Sequence, residues 1–126
     1  MIDKAARAVD YLKHILQAIE RIERYTADMS EHNFLASELT QDAVIRNFEI
    51  IGEASRNIDR NCSEFAAAHP ELPLLNAYEM RNALAHGYFR VDLEIVWKTI
   101  QNDLATLRRQ INAIVKKLSA AESQSE

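Results

Sequence analysis

Apolar residues recur at three- and four-residue steps along most of the chain, which is the spacing of one face of an α-helix. The first stripe predicts a helix over residues 2–26, and the second predicts a long helix over 40–61. A third helix is predicted over 74–86, and a further stripe predicts a last, longer helix over 92–117. The pattern therefore indicates four substantial helices joined by short connections.

Residues that favour helix ends agree with these boundaries. Ser30 and Thr40 are candidate N-caps on either side of a short apolar piece, and Asp92 is the candidate N-cap of the last helix. A single helical turn is predicted at 65–68, where a loop with two prolines prevents continuation. Gly52 lies inside the second helix, where it costs about 1 kcal/mol relative to alanine, so a close helix crossing is expected there.

Composition supports a single helical domain. The chain has 126 residues, of which 48% are hydrophobic, with only two glycines and two prolines to form turns. The expected fold class is all-α: an up-and-down bundle of four main helices plus short helical turns, with residues 1–118 as the domain and 119–126 as a flexible polar tail. The apolar stripe of the last helix is long enough that part of it is expected to form a homodimer seam.

Charge and cysteine content narrow the function classes. A formal net charge of −4 argues against a general nucleic-acid coat protein but allows a local basic cleft. Candidates to line such a cleft are Arg56, Arg60, Arg81, Arg90 and Lys98. A single cysteine and the lack of an apolar run of about 20 residues predict a cytoplasmic protein that does not enter the membrane. The spacing of the histidines gives no metal-ligand set, and no cofactor is expected.

The segment 78–92 carries the residues best suited to chemistry. Arg81 and His86 are five residues apart, which on a regular helix separates them by about 7.5 Å along the axis. The two can serve one site if His86 is the last helical residue and Gly87 provides the C-terminal turn. His86 and Tyr88 would then project from the helix end beside the face that carries Arg81.

An arginine and a histidine so placed suit the cleavage of RNA. The ribose 2′-hydroxyl is the nucleophile, so the site needs a proton acceptor, a proton donor and positive charge for the transition state, and it needs no metal. Histidine titrates near neutral pH, and arginine binds phosphate oxygens through its planar fork. Because one histidine is not obviously enough, the second His86 of a homodimer is expected to supply the missing acid or base.

These residues resemble the signature of the HEPN superfamily. The spacing from Arg81 to His86, followed by Gly87-Tyr88, matches its motif, and the segments 50–54 and 80–89 are similar to its HepT branch. The similarity extends over roughly residues 3–107, with the motifs in the expected order on helices.

The resemblance implies a homodimeric, metal-independent endoribonuclease toxin of a type VII-like toxin–antitoxin pair. Its implied partners are RNA and a minimal nucleotidyltransferase antitoxin, with no DNA substrate. Arg81 and His86 correspond to the catalytic pair, and Asn82 to the polar residue that often follows the arginine. Tyr88 corresponds to the tyrosine that the antitoxin modifies with AMP, which would block RNA by repulsion and bulk.

Two other functions compete with this one. A catalytically silent helical module could bind a nucleotidyltransferase partner or a nucleotide, although it has no evident need for Arg81 and His86 together. A phosphotransfer bundle with His86 as phosphoacceptor is the weakest alternative, because such a histidine usually lies in the middle of an exposed helix face.

Each candidate residue also has an ordinary structural explanation. Arg81 could form a surface ion pair with Glu79 or Asp92. His86 could be a cation favoured by the C-terminal end of a helix dipole. Glu49 and Glu53 share a helix face. Such a pair more commonly forms a solvated acidic face than a carboxylate dyad.

Overall fold

The computed structural model describes residues 4–86 and 92–124, with side chains described for 6–84 and 92–120. Over these residues the secondary structure is entirely helical, which confirms the all-α class. The helices are α1 (Lys4–Thr26), α2 (Glu31–Leu35), α3 (Glu38–Asn61), α4 (Ser63–Ala68), α5 (Leu74–His86), α6 (Leu93–Asn102) and α7 (Leu104–Gln124). The bundle of four main helices and the homodimer remain predictions.

The helix caps follow the sequence signals in two cases out of three. Ser30 caps α2 by accepting a hydrogen bond from the Asn33 N–H, and Asp92 caps α6 by accepting from Glu94 and Ile95. The prediction of Thr40 as a cap is wrong. Ser37 caps α3 instead, and its side chain accepts from the Thr40 N–H inside the first turn. Both hydroxyl residues suit an N-cap, so local preference alone could not choose between them.

The last predicted helix is two helices, α6 and α7, separated by Asp103. The apolar stripe runs through this interruption because it is slight: the Asp103 N–H still donates to Thr99 and the Leu107 N–H to Asp103. The predicted end near Lys117 is also wrong, since α7 continues to Gln124. The flexibility of residues 119–126 stays a prediction.

The hydrophobic core is built around α3, which packs against both α1 and α5. One face of α1 is fully buried from Leu12 to Ile22, and it meets the face of α3 that carries Val44 and Ile58. Phe34 of α2 is likewise buried and lies 5.4 Å from the ring centre of Trp97 on α6. Trp97 thus belongs to the core of the single chain.

Two polar contacts connect elements that are distant in sequence. Gln41 donates to the Phe34 and Leu35 carbonyls, which closes the C-terminal end of α2. Arg108 of α7 pairs with Glu23 of α1 at 2.7 Å. Among the described helices, none is long and apolar enough to cross a membrane.

Candidate active site

The crossing of α3 and α5 is unusually close at one glycine. A Cβ atom added to Gly52 would lie 2.2 Å from the Arg81 Cβ and 2.9 Å from the Ala77 carbonyl oxygen. Such distances are far inside van der Waals contact, so only glycine allows α5 to approach α3 here. The close crossing predicted from Gly52 is confirmed, and the helix that it admits is the one that carries Arg81.

The guanidinium of Arg81 is oriented by two neighbours. Its Nη2 donates to the Glu53 carboxylate at 2.7 Å, and its Nη1 donates to the Asn82 side-chain oxygen at 2.9 Å. The Nε atom is buried and has no acceptor among the described residues. A guanidinium has five N–H groups, so, apart from the buried Nε–H, one N–H on each of the two Nη atoms remains uncommitted within this part of the chain.

The contacts of this cluster orient the Arg81 guanidinium more than they stabilise the fold. The side chains of Arg81 and Glu53 are 27% and 44% exposed, and ion pairs that solvent reaches contribute roughly 0–1 kcal/mol. An unsatisfied buried donor such as Nε costs about 1–3 kcal/mol. The cluster therefore adds little to the fold, while it presents a permanently charged group with donors left over for a phosphate.

The sequence-predicted site is only partly covered by the described residues. Arg81 and Asn82 lie in contact on α5, and the backbone of α5 extends to His86 as expected. The His86 side chain and the whole of Gly87, Tyr88 and Arg90 lie outside the described residues. The relation of His86 and Tyr88 to Arg81 stays a prediction.

Arg81 forms an ion pair, as its ordinary structural explanation predicts, but the predicted partners are wrong. Arg81 pairs neither with Glu79 nor with Asp92, because its guanidinium is drawn across the helix crossing to Glu53. Glu53 is 44% exposed, in agreement with a solvated face, but it also pairs with Arg81, and sequence reasoning missed it as a site residue. The available signal was Gly52: a glycine that marks a helix crossing places its neighbour Glu53 beside the opposite helix.

Of the basic residues expected to line a cleft, those with described side chains lie along one helix crossing, except Lys98. Arg56 and Arg60 lie on α3, one and two turns beyond Glu53, whereas Lys98 is exposed on α6. Arg56 lies over the Tyr78 ring, 4.9 Å from its centre. Arg56, Arg60 and Arg81 thus follow the same α3–α5 crossing, and Lys98 does not.

A cavity of about 420 Å³ lies between α3, α5 and the α6–α7 junction, but Arg81 does not line it. Glu71 lies at its edge, and its carboxyl pKa is lowered because His69 donates a hydrogen bond to it at 2.9 Å. The described residues hold no cluster of three or more histidine, cysteine or carboxylate side chains that could bind a metal.

An all-helical fold with an arginine oriented at a glycine-mediated crossing agrees with the comparison of the chain with protein families. Residues 15–114 match the family model Ribonuclease HepT-like, and the chain belongs to this family, within the HEPN superfamily.

Individual relatives of the chain agree with its place in this family. The chain is 43% identical to "Probable ribonuclease HepT" of Thermococcus cleftensis over 85% of its own length and 94% of the relative. It is also 43% identical to "Gamma-glutamylcyclotransferase and putative RNase" of Methanocaldococcus jannaschii, over 86% of its own length and 47% of that protein. A "Putative RNase" of Caldanaerobacter subterraneus is 35% identical, with 85% and 93% covered. No solved structure matches the chain.

Proposed function

We propose that this chain is a metal-independent endoribonuclease that acts as the toxin of a toxin–antitoxin pair in the cytoplasm. The observation that carries the proposal is Arg81, held at the α3–α5 crossing by Gly52 and Glu53 in a family named for ribonucleases. An arginine kept in place with unused N–H groups suits the binding of a phosphodiester.

In the proposed reaction, the 2′-hydroxyl attacks the neighbouring phosphorus and the 5′-oxygen leaves. One His86 removes the proton of the nucleophile, and a second His86, from the other subunit of a homodimer, protonates the leaving oxygen. Arg81 stabilises the charge that builds on the phosphoryl oxygens, and Asn82 helps to orient the guanidinium. The products are a 2′,3′-cyclic phosphate and a 5′-hydroxyl.

Regulation is proposed to act through Tyr88. A minimal nucleotidyltransferase would transfer AMP to its hydroxyl, which adds an anionic phosphate at the mouth of the cleft and opposes RNA entry. Tyr88→Phe should keep much of the nuclease activity and escape silencing by the partner. Mass spectrometry after incubation with partner and ATP gives the modified position, and an added mass on another residue would refute this switch.

The activity is tested with the purified full-length chain and a single-stranded RNA, with and without EDTA. The proposal predicts undiminished cleavage in EDTA, cyclic-phosphate ends, and no cleavage of a DNA of the same sequence, because DNA lacks the nucleophile. His86→Ala should be inactive. Cleavage that stops in EDTA, or that continues in His86→Ala, would rule out this chemistry.

The alternative function is a helical module that binds a nucleotidyltransferase or a nucleotide without catalysis. It predicts that wild-type protein leaves RNA intact under every condition while still binding its partner. The uncommitted N–H groups of Arg81 favour the nuclease, since a surface used only to bind a protein does not require them.

A further inference from the structure

A small cavity of about 230 Å³ lies beside the Arg81 cluster, between α3 and α5. It is lined by Arg56, Asp59, Arg60, Leu74, Leu75 and Tyr78. Tyr78 precedes Arg81 by three residues on α5, so the two lie within one helical turn, about 4.5 Å apart along the axis. Arg56 follows Glu53 by the same interval on α3.

The chemistry of this cavity suits a flat ring. The Arg56 guanidinium carbon lies 4.9 Å from the centre of the Tyr78 ring, so the two groups stack on each other, and both are only partly buried. Leu75 on the same rim is 65% exposed, which is a large apolar surface to leave in solvent. Aromatic rings and guanidinium planes are the groups on which proteins stack the bases of single-stranded RNA.

The charges around the cavity suit a nucleotide and not merely an apolar ring. Neither Arg56 nor Arg60 forms an ion pair within the described part of the chain, and Arg60 is exposed. Their charge is therefore available to the RNA backbone. The Asp59 carboxylate beside them repels phosphate but can accept a hydrogen bond from a base amino group. The volume lies below the roughly 300–1,000 Å³ of pockets for drug-sized ligands, which favours a single base.

We propose that this cavity is a nucleobase subsite, in which one base of a single-stranded RNA stacks on the Arg56–Tyr78 pair while Arg60 contacts its backbone. The base would lie on the side of Arg81 away from the end of α5, so the strand would pass from the subsite over Arg81. The proposal rests on RNA being the substrate. It adds a second, non-catalytic contact that fixes the register of the strand.

The test measures binding of a fluorescent single-stranded RNA in the His86→Ala background, so that cleavage does not interfere. Tyr78→Ala should weaken binding roughly 5- to 150-fold, the effect of losing one base stack, whereas Tyr78→Phe should bind like the parent. Arg60→Ala should weaken binding and reduce its dependence on salt. The matched control is Tyr25→Ala, because Tyr25 is 38% exposed and also has an arginine, Arg24, 5.5 Å from its ring centre.

A second RNA separates base stacking from a structural effect. An oligonucleotide with abasic sites should bind the parent more weakly than intact RNA does, and the difference should vanish in Tyr78→Ala. If circular dichroism shows that Tyr78→Ala is unfolded, Tyr78→Leu takes its place in the comparison of intact with abasic RNA, because leucine keeps an apolar side chain but cannot stack on a base. Equal loss for intact and abasic RNA, or a loss accompanied by a change in oligomeric state, would overturn the subsite.

The outcomes also separate this proposal from the proposed function. If the wild type cleaves RNA but Tyr78→Ala and Arg60→Ala bind RNA as well as the control does, the subsite is wrong and the nuclease is supported. If binding depends on the bases and on Tyr78 but the wild type does not cleave RNA, the nuclease is wrong and the subsite is supported. If the parent binds no RNA and the wild type does not cleave it, both are wrong.

Discussion

At the scale of single residues, Glu53 sets the position of the residue proposed to act on RNA. The carboxylate lies 2.7 Å from the Arg81 guanidinium and comes from the opposite helix. It has two opposing effects. It fixes the direction of the guanidinium, which favours catalysis, and it places a negative charge near the expected phosphate, which weakens RNA binding. We therefore regard Glu53 as a positioning residue, whose loss should separate catalysis from binding.

Glu53→Ala should lower kcat roughly ten- to hundredfold, because a displaced guanidinium no longer meets the transition state. RNA affinity should stay equal or become tighter, because a repulsive charge is gone. Single-turnover kinetics and equilibrium binding measure the two quantities separately. Glu49→Ala is the matched control, since Glu49 pairs with Arg46 on α3 at 3.7 Å and forms no ion pair with Arg81. A loss of affinity with unchanged kcat would contradict the positioning role.

At the scale of helices, the α3–α5 crossing depends on the missing side chain of Gly52. Alanine has the higher helix propensity, by about 1 kcal/mol, so an isolated helix would gain from Gly52→Ala. In the folded chain the new methyl group would overlap the Arg81 Cβ and crowd the backbone oxygen of Ala77. The crowding should outweigh the propensity gain, because one of the clashing groups is backbone and α5 would have to shift.

Gly52→Ala should therefore destabilise the protein by about 1–3 kcal/mol, the usual cost of overpacking. It should also reduce RNA cleavage, because Arg81 moves with α5. Chemical denaturation measures the first effect and a cleavage assay the second. Asp42→Ala is the control on the exposed side of the same helix. Stability equal to or above wild type would show that the crossing relaxes freely.

The helices also show which structural features the sequence patterns can predict. Apolar periodicity predicted the long helices because each buries one continuous face, and it could not detect the interruption at Asp103, across which that face continues. The caps of α2 and α6 followed from local chemistry, whereas Ser37 and Thr40 were equally suitable. The pairing of Arg81 with Glu53 depends on how α5 lies across α3, which no local pattern specifies. Gly52 indicated a crossing but not its partner.

At the scale of the whole molecule, the proposed cleavage requires two chains. Each chain offers one histidine in the motif, and acid and base must act on opposite sides of the scissile phosphate. We predict a homodimer in solution in which the two His86 side chains face one cleft. Sedimentation analysis gives the mass, and disulfide trapping of paired cysteine variants near residue 86 gives the distance between the motifs. A strict monomer, or motifs on remote faces, would remove the composite site.

Two arginines that make the same contact allow the catalytic role of Arg81 to be tested directly. Arg81 and Arg108 each reach a glutamate of another helix at 2.7 Å, and Arg108 lies outside the proposed site. Both Arg→Ala variants should melt close to wild type, since partly exposed ion pairs contribute roughly 0–1 kcal/mol.

The measurement is the rate of RNA cleavage in EDTA by these two variants and the wild type. Arg81→Ala should lose at least about a hundredfold in rate, the effect of removing one donor to a transition state, while Arg108→Ala should match the wild type. Cleavage by Arg81→Ala at the rate of Arg108→Ala would contradict the account, because Arg81 would then be only one more ion pair between helices.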